Sequence, residues 1–145
     1  MIGYCVKRPV SAVVTLKDGR VLIGGNFCTN QQPTCPRQPG EGYEKCYTVC
    51  GQIGHAEQVA VRLIIRELAQ TSSSYASQIA SVDVYGHHGP CDACKRMLAA
   101  FNLDKLTKFH QHATPGPVDQ DTIEIVDKEY ALTRVGSHSK QYGEF

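Results

Sequence analysis

His55, Glu57, Cys91 and Cys94 are the residues whose types and spacing could do chemistry. His55-Ala56-Glu57 sets an imidazole and a carboxylate two positions apart, and Pro90-Cys91-Asp92-Ala93-Cys94 sets two thiols one helical turn apart. One imidazole and two thiolates are three ligands for zinc, and three ligands leave a fourth position for water. Such a centre makes a nucleophile at neutral pH, the requirement for replacing an exocyclic amine by oxygen. Cysteines at i and i+3 can reach one metal, and a helix N-terminus favours their thiolate forms. Glu57 stands close enough to face the cleft without being a ligand. Its role would be to take a proton from the water and pass it to a ring nitrogen and the departing amine. The competing reading is a structural zinc site. Those are normally closed by four protein ligands, and no fourth candidate lies beside these three in the chain.

Elements able to position these residues are visible in the pattern. From Ala56 the apolar positions Ala56, Val59, Ala60, Leu63, Ile64 and Leu68 follow helical spacing, which predicts a helix of about four turns buried on one side. Pro90 is expected in the first turn of a second helix, whose inner face would be Cys94, Met97, Leu98 and Phe101. Residues 10–16, the Asp18-Gly19 pair and residues 21–25 read as a β-hairpin. Strands are expected at 81–86, 106–113 and 122–130, with a polar loop at 71–77. Helices alternating with strands argue for an α/β layered sheet.

The chain has 145 residues, the size of one domain, and we expect a single domain over 1–145 with a frayed tail at about 134–145. No apolar run approaches a membrane span, and Lys7, Arg8 and Pro9 interrupt any signal-peptide pattern, so a cytoplasmic protein is expected. A net charge of +1 provides no broad field for a polyanion, so a small molecule is the expected partner rather than long nucleic acid. Seven cysteines in a reducing compartment point to metal ligation over disulfides. Four of them, Cys28, Cys35, Cys46 and Cys50, lie in a proline- and glycine-rich segment at 26–54, a long loop or metal-braced insertion. Four thiols suit a tetrahedral second metal, while their irregular spacing equally suits free cysteines packed as small hydrophobes.

With those motifs in hand, residues 5 to 104 resemble the zinc-dependent cytidine and deoxycytidylate deaminase superfamily, closest to its deoxycytidylate branch of bacterial and phage type. Cys5-Val-Lys-Arg8 and the strand after it look like the family's first strand, and Lys17 to Asn26 like its hairpin ending in asparagine. The segment from Cys35 to Cys46 is similar to the cysteine-bearing loop of some bacterial and phage members, where such a loop can bind a second, structural zinc. The resemblance implies a five-stranded mixed sheet flanked by helices, a catalytic Zn2+ on His55, Cys91 and Cys94, Glu57 as the catalytic residue, and a homo-oligomer. It implies substrate contacts from Asn26 and Ala56, and His87 is a further candidate because it precedes the metal cysteines.

The chain also departs from the family pattern. Val59 replaces the asparagine after H-A-E-x, Phe27 replaces a glycine, and Gly86-His87-His88-Gly89 replaces a threonine and serine or glutamate loop. His110, His112 and His138 take no assigned role. The expected activity is hydrolytic deamination of a free pyrimidine nucleotide, deoxycytidylate above all, and the phage-type resemblance implies action in a host cytoplasm. Deamination of a modified nucleotide, a purine nucleotide or a base in single-stranded nucleic acid is the first alternative, and a non-catalytic zinc-binding module the second. No phosphate loop is present, and Arg8, Arg20, Arg37, Lys95 and Arg96 are not ranked by the sequence.

Overall fold

Strands β2 (Ser11–Leu16) and β3 (Val21–Gly25) pair antiparallel with Val13 opposite Ile23. The turn between them is the expected one: Gly19 adopts φ +94°, and Asp18 Oδ1 accepts the Arg20 N–H at 2.9 Å. The computed structural model describes residues 3–69, 74–86 and 89–111. Strand β5 (Ile79–Tyr85) pairs antiparallel with the other side of β2, and β6 (Thr107–His110) runs parallel to β5. The sheet order is β3-β2-β5-β6, and the short strands β1 (Gly3–Tyr4) and β4 (Phe27–Cys28) form a separate antiparallel pair. The architecture is therefore mixed α/β with a mixed sheet. Among the described residues that sheet has four strands. The expected strand at 122–130, the tail, His112 and His138 lie outside them.

The helices described are α1 (Glu44–Thr48), within the cysteine-rich segment, and α2 (Ala56–Leu68) and α3 (Asp92–Ala100) after it. The 3.6-residue period of α2 sends Ala60, Val61, Ile64 and Leu68 against Ala12, Val14, Val82 and Val84 of the sheet. Met97, Leu98 and Leu103 complete that core from α3 and the turn after it. Gly24 sets the distance between layers. A Cβ there would stand 2.6 Å from the Ala60 nitrogen and 2.9 Å from the Ala56 carbonyl oxygen, so α2 rests almost directly on β3. No helix among the described residues is long and apolar enough to cross a membrane.

A second apolar cluster joins Phe27, Ile53, Val59 and Leu63. Two of the departures from the family pattern, Phe27 and Val59, thus pack in one cluster, and neither lines the cavity described below. Other details differ from expectation. Pro90 precedes Cys91, the N-cap of α3, so it stands outside the first turn. Of the strand expected at 106–113, Leu106 ends a 3₁₀ turn over Asp104–Leu106 and Thr107–His110 are strand, with 112–113 outside the described residues, and the strand expected at 81–86 begins at Ile79. The segment 26–54, expected as loop, contains β4 and α1.

Candidate metal centre and its cavity

His55 and Cys91 hold equivalent places in the fold. Each is the N-cap of its helix with extended backbone (φ −73°, ψ 159° and φ −69°, ψ 168°), and its carbonyl accepts the first helical N–H, from Val59 at 3.0 Å and Lys95 at 2.9 Å. At His55 the cap is reinforced by Gln58, whose Oε1 accepts the His55 N–H at 2.9 Å. Both helices start at the same end of the sheet, and this brings two remote segments of chain together.

Cys91 Sγ and Cys94 Sγ each lie 3.5 Å from His55 Nδ1. In a tetrahedral site with Zn–N near 2.0–2.1 Å and Zn–S near 2.3 Å, nitrogen and sulfur ligands stand roughly 3.5 Å apart. The three residues can therefore hold one metal ion such as zinc through Nδ1 and two sulfurs, and all their ligand atoms lie within 4.8 Å of one another. Their ionisation agrees with this. Burial lowers the pKa of His55, favouring the neutral imidazole that ligates. Cys94 is fully buried, and burial, followed by the charges of Glu57 and Cys91, pushes its thiol up. A divalent cation relieves that cost by pairing with the thiolate.

The centre opens into a cavity of about 410 Å³. Glu57 lines it and is 4% exposed, with burial raising its pKa above the ordinary carboxylate value. Ala56 and Asn26 line the same cavity. The amide of Asn26 is already engaged with backbone: Oδ1 accepts the Val10 N–H at 3.0 Å and Nδ2 donates to the Arg8 carbonyl at 2.8 Å. Its visible work is to pin the 8–10 segment to the end of β3. His87 and His88 lie outside the described residues. His110 does not approach the cavity lining; its Nε2 is 2.8 Å from Asp83 Oδ1, with the ring stacked on Tyr85 at 4.7 Å.

Cys28, Cys46 and Cys50 are buried and Cys35 is partly so. Among the described residues these thiols form no second group with ligand atoms as close as those of His55, Cys91 and Cys94. They are nevertheless neighbours. Burial first, then the charges of Cys5, Cys50 and Cys46, push the Cys28 thiol up to about 12. Sequence reasoning missed Cys5 as a member of this cluster and missed the shared wall: Cys5, Cys35 and Cys46 line the cavity of the metal centre, with Lys7, Arg8, Arg37, Tyr43, Tyr47 and Gln52. No periodicity or spacing ties residues 5–8 to 35–47. Their meeting depends on the pairing of β1 with β4 and on Cys5 N–H donating to the Asn26 carbonyl at 3.0 Å. No family model and no curated protein matches this chain.

Proposed function

We propose that this protein is a zinc-dependent deaminase of a free pyrimidine nucleotide, converting deoxycytidylate to deoxyuridylate with release of ammonia. The observation that carries the reading is Glu57: a buried carboxylate two positions beyond the cap residue His55, in the wall of a cavity with a three-ligand metal site. A site built only for structure has no use for it. His55, Cys91 and Cys94 would hold the zinc, whose chemistry when bound would be to make water a nucleophile at neutral pH.

The chain's own residues do the rest. Glu57, whose pKa burial raises above the ordinary carboxylate value, holds a proton more readily than an exposed carboxylate and can both take one and give it back. It accepts a proton from the attacking water and delivers it to the ring nitrogen beside the amine-bearing carbon. As the carbon–oxygen bond forms and the carbon–nitrogen bond breaks, the second water proton goes to the departing amine, which leaves as ammonia. No electrons are exchanged. Ala56, buried in the same wall, carries only a methyl group and so leaves room beside Glu57.

The test is Glu57→Gln, assayed for ammonia release with a panel of nucleosides and their phosphates, with metal content measured on the same sample. We expect turnover to fall by roughly 10²–10⁴-fold or more while the zinc content is unchanged. Full activity in that variant would overturn the mechanism, and zinc-loaded wild-type protein inactive on the whole panel would leave a structural metal site.

A further inference from the structure

The cavity beside the metal centre is unbalanced in charge. Lys7, Arg8 and Arg37 line it, and Glu57 is the sole carboxylate among the described lining residues. A divalent ion with two thiolates is neutral overall, so the excess of cations stands whether or not metal is bound. The other basic candidates are elsewhere: Arg20 pairs with Asp18 at 2.9 Å and Glu67 at 3.3 Å, and Lys95 and Arg96 lie on the exposed side of α3, away from the lining.

These cations are placed by specific contacts. Arg37 Nη2 donates to the Glu41 carbonyl at 2.8 Å, and its guanidinium lies 4.6 Å from the centre of the Tyr43 ring. Its Nε is buried without a hydrogen-bond partner, and the guanidinium also faces the Cys46 thiol, whose pKa it lowers against the larger effect of burial. Lys7 and Arg8 are exposed on a bend, and Asn26 anchors that bend through the Arg8 carbonyl and the Val10 N–H. A guanidinium held in place by its neighbours, joined by two exposed cations lining the same open cavity, matches a compact dianion.

We propose that Arg37, with Lys7 and Arg8, binds the 5′-phosphate of a free nucleotide whose base reaches Glu57 and the metal ligands, an assignment that rests on the deaminase reading. Arg37 belongs to the cysteine-rich segment, so that segment sets specificity for the phosphorylated substrate. A phosphomonoester carries about two charges at neutral pH, against one for each phosphate of a strand. The cavity volume of about 410 Å³ fits one small molecule.

The experiment measures calorimetric affinities of zinc-loaded wild-type protein for the pyrimidine and purine deoxynucleoside 5′-monophosphates, their parent nucleosides and a short deoxycytidine oligomer without terminal phosphate. At least one monophosphate should bind 10-fold or more tightly than its nucleoside, more weakly as salt rises. Arg37→Gln should remove about 10- to 100-fold of that affinity and raise KM with kcat little changed, leaving nucleoside affinity unaltered. Arg37→Lys should recover part of the loss. The exposed pair Lys7→Gln and Arg8→Gln should act in the same direction, which keeps the test open if Arg37→Gln fails to fold. Equal affinities for every monophosphate and nucleoside pair, or an Arg37→Gln loss shared equally by both, would overturn the proposal. Tighter binding of the oligomer than of any monophosphate would overturn it in favour of a strand. A phosphate preference dependent on Arg37, without ammonia from any compound, would uphold this site and sink the deaminase reading. Ammonia released equally well from nucleoside and monophosphate would do the reverse.

Discussion

Cys91 and Cys94 offer the same sulfur to the same nitrogen at 3.5 Å, yet one is exposed and the other fully buried. The difference should appear in thiol chemistry, because the thiolate is the nucleophile and access decides how fast it reacts. In metal-free protein at pH 8, we expect alkylation followed by mass spectrometry to label Cys91 first. Cys28 should be among the last. With its thiol pushed up to about 12, only about one molecule in ten thousand is thiolate at that pH, and its sulfur is buried as well. Zinc should protect Cys91 and Cys94 and leave the labelling of Cys35 unchanged. Rapid labelling of Cys91 in zinc-loaded protein would remove it from the ligand set.

The helices matter at the next scale because each presents its ligands from its first turn. Gln58 is the device that fixes this at α2: its side chain satisfies the His55 N–H, and it is 3% exposed. Gln58→Ala should cost roughly 1–3 kcal/mol in denaturant unfolding by leaving that donor unpaired, and should weaken zinc affinity more than the same change at an exposed position of the helix. Gly24→Ala tests the contact beneath the site. The new methyl group would meet backbone atoms of Ala60 and Ala56, which cannot rotate away, so a loss of about 1–3 kcal/mol is expected with α2 displaced from β3. An unchanged urea midpoint would show that the layers have slack. The helix itself was legible in the sequence because its apolar positions repeat at helical spacing, and the Asp18-Gly19 turn because the pair is a strong local signal. Pro90 was misplaced by one turn element because proline suits positions on both sides of an N-cap. The cap of Gln58 and the need for glycine at 24 depend on which elements touch, and no local pattern carries that.

For the molecule as a whole, the three ligands form a clamp between two chain segments that β5 separates in sequence. His55 follows the cysteine-rich segment, while Cys91 and Cys94 follow β5, so a bound ion links the starts of α2 and α3 across the open end of the sheet. Ligand spacing made this centre readable from sequence, whereas the cavity wall drawn from residues 5–8 and 35–47 emerges only when β1 meets β4. Because the unfolded chain cannot hold the three groups together, metal binding adds to folding stability by mass action. With zinc at 1,000 times its dissociation constant the gain is about 4 kcal/mol, on the order of 10 °C in Tm for a domain of this size. We therefore expect a strong chelator to lower the Tm of wild-type protein by about that amount and to leave the Tm of Cys94→Ser nearly unchanged. The same pair of samples decides the role of the remaining thiols. About one zinc per wild-type chain and none in Cys94→Ser would confine metal to this centre. A chelator-sensitive Tm in Cys94→Ser, with about one zinc retained, would place a second ion among the clustered cysteines at 5, 28, 35, 46 and 50, and the cavity would then be walled by two metals rather than one.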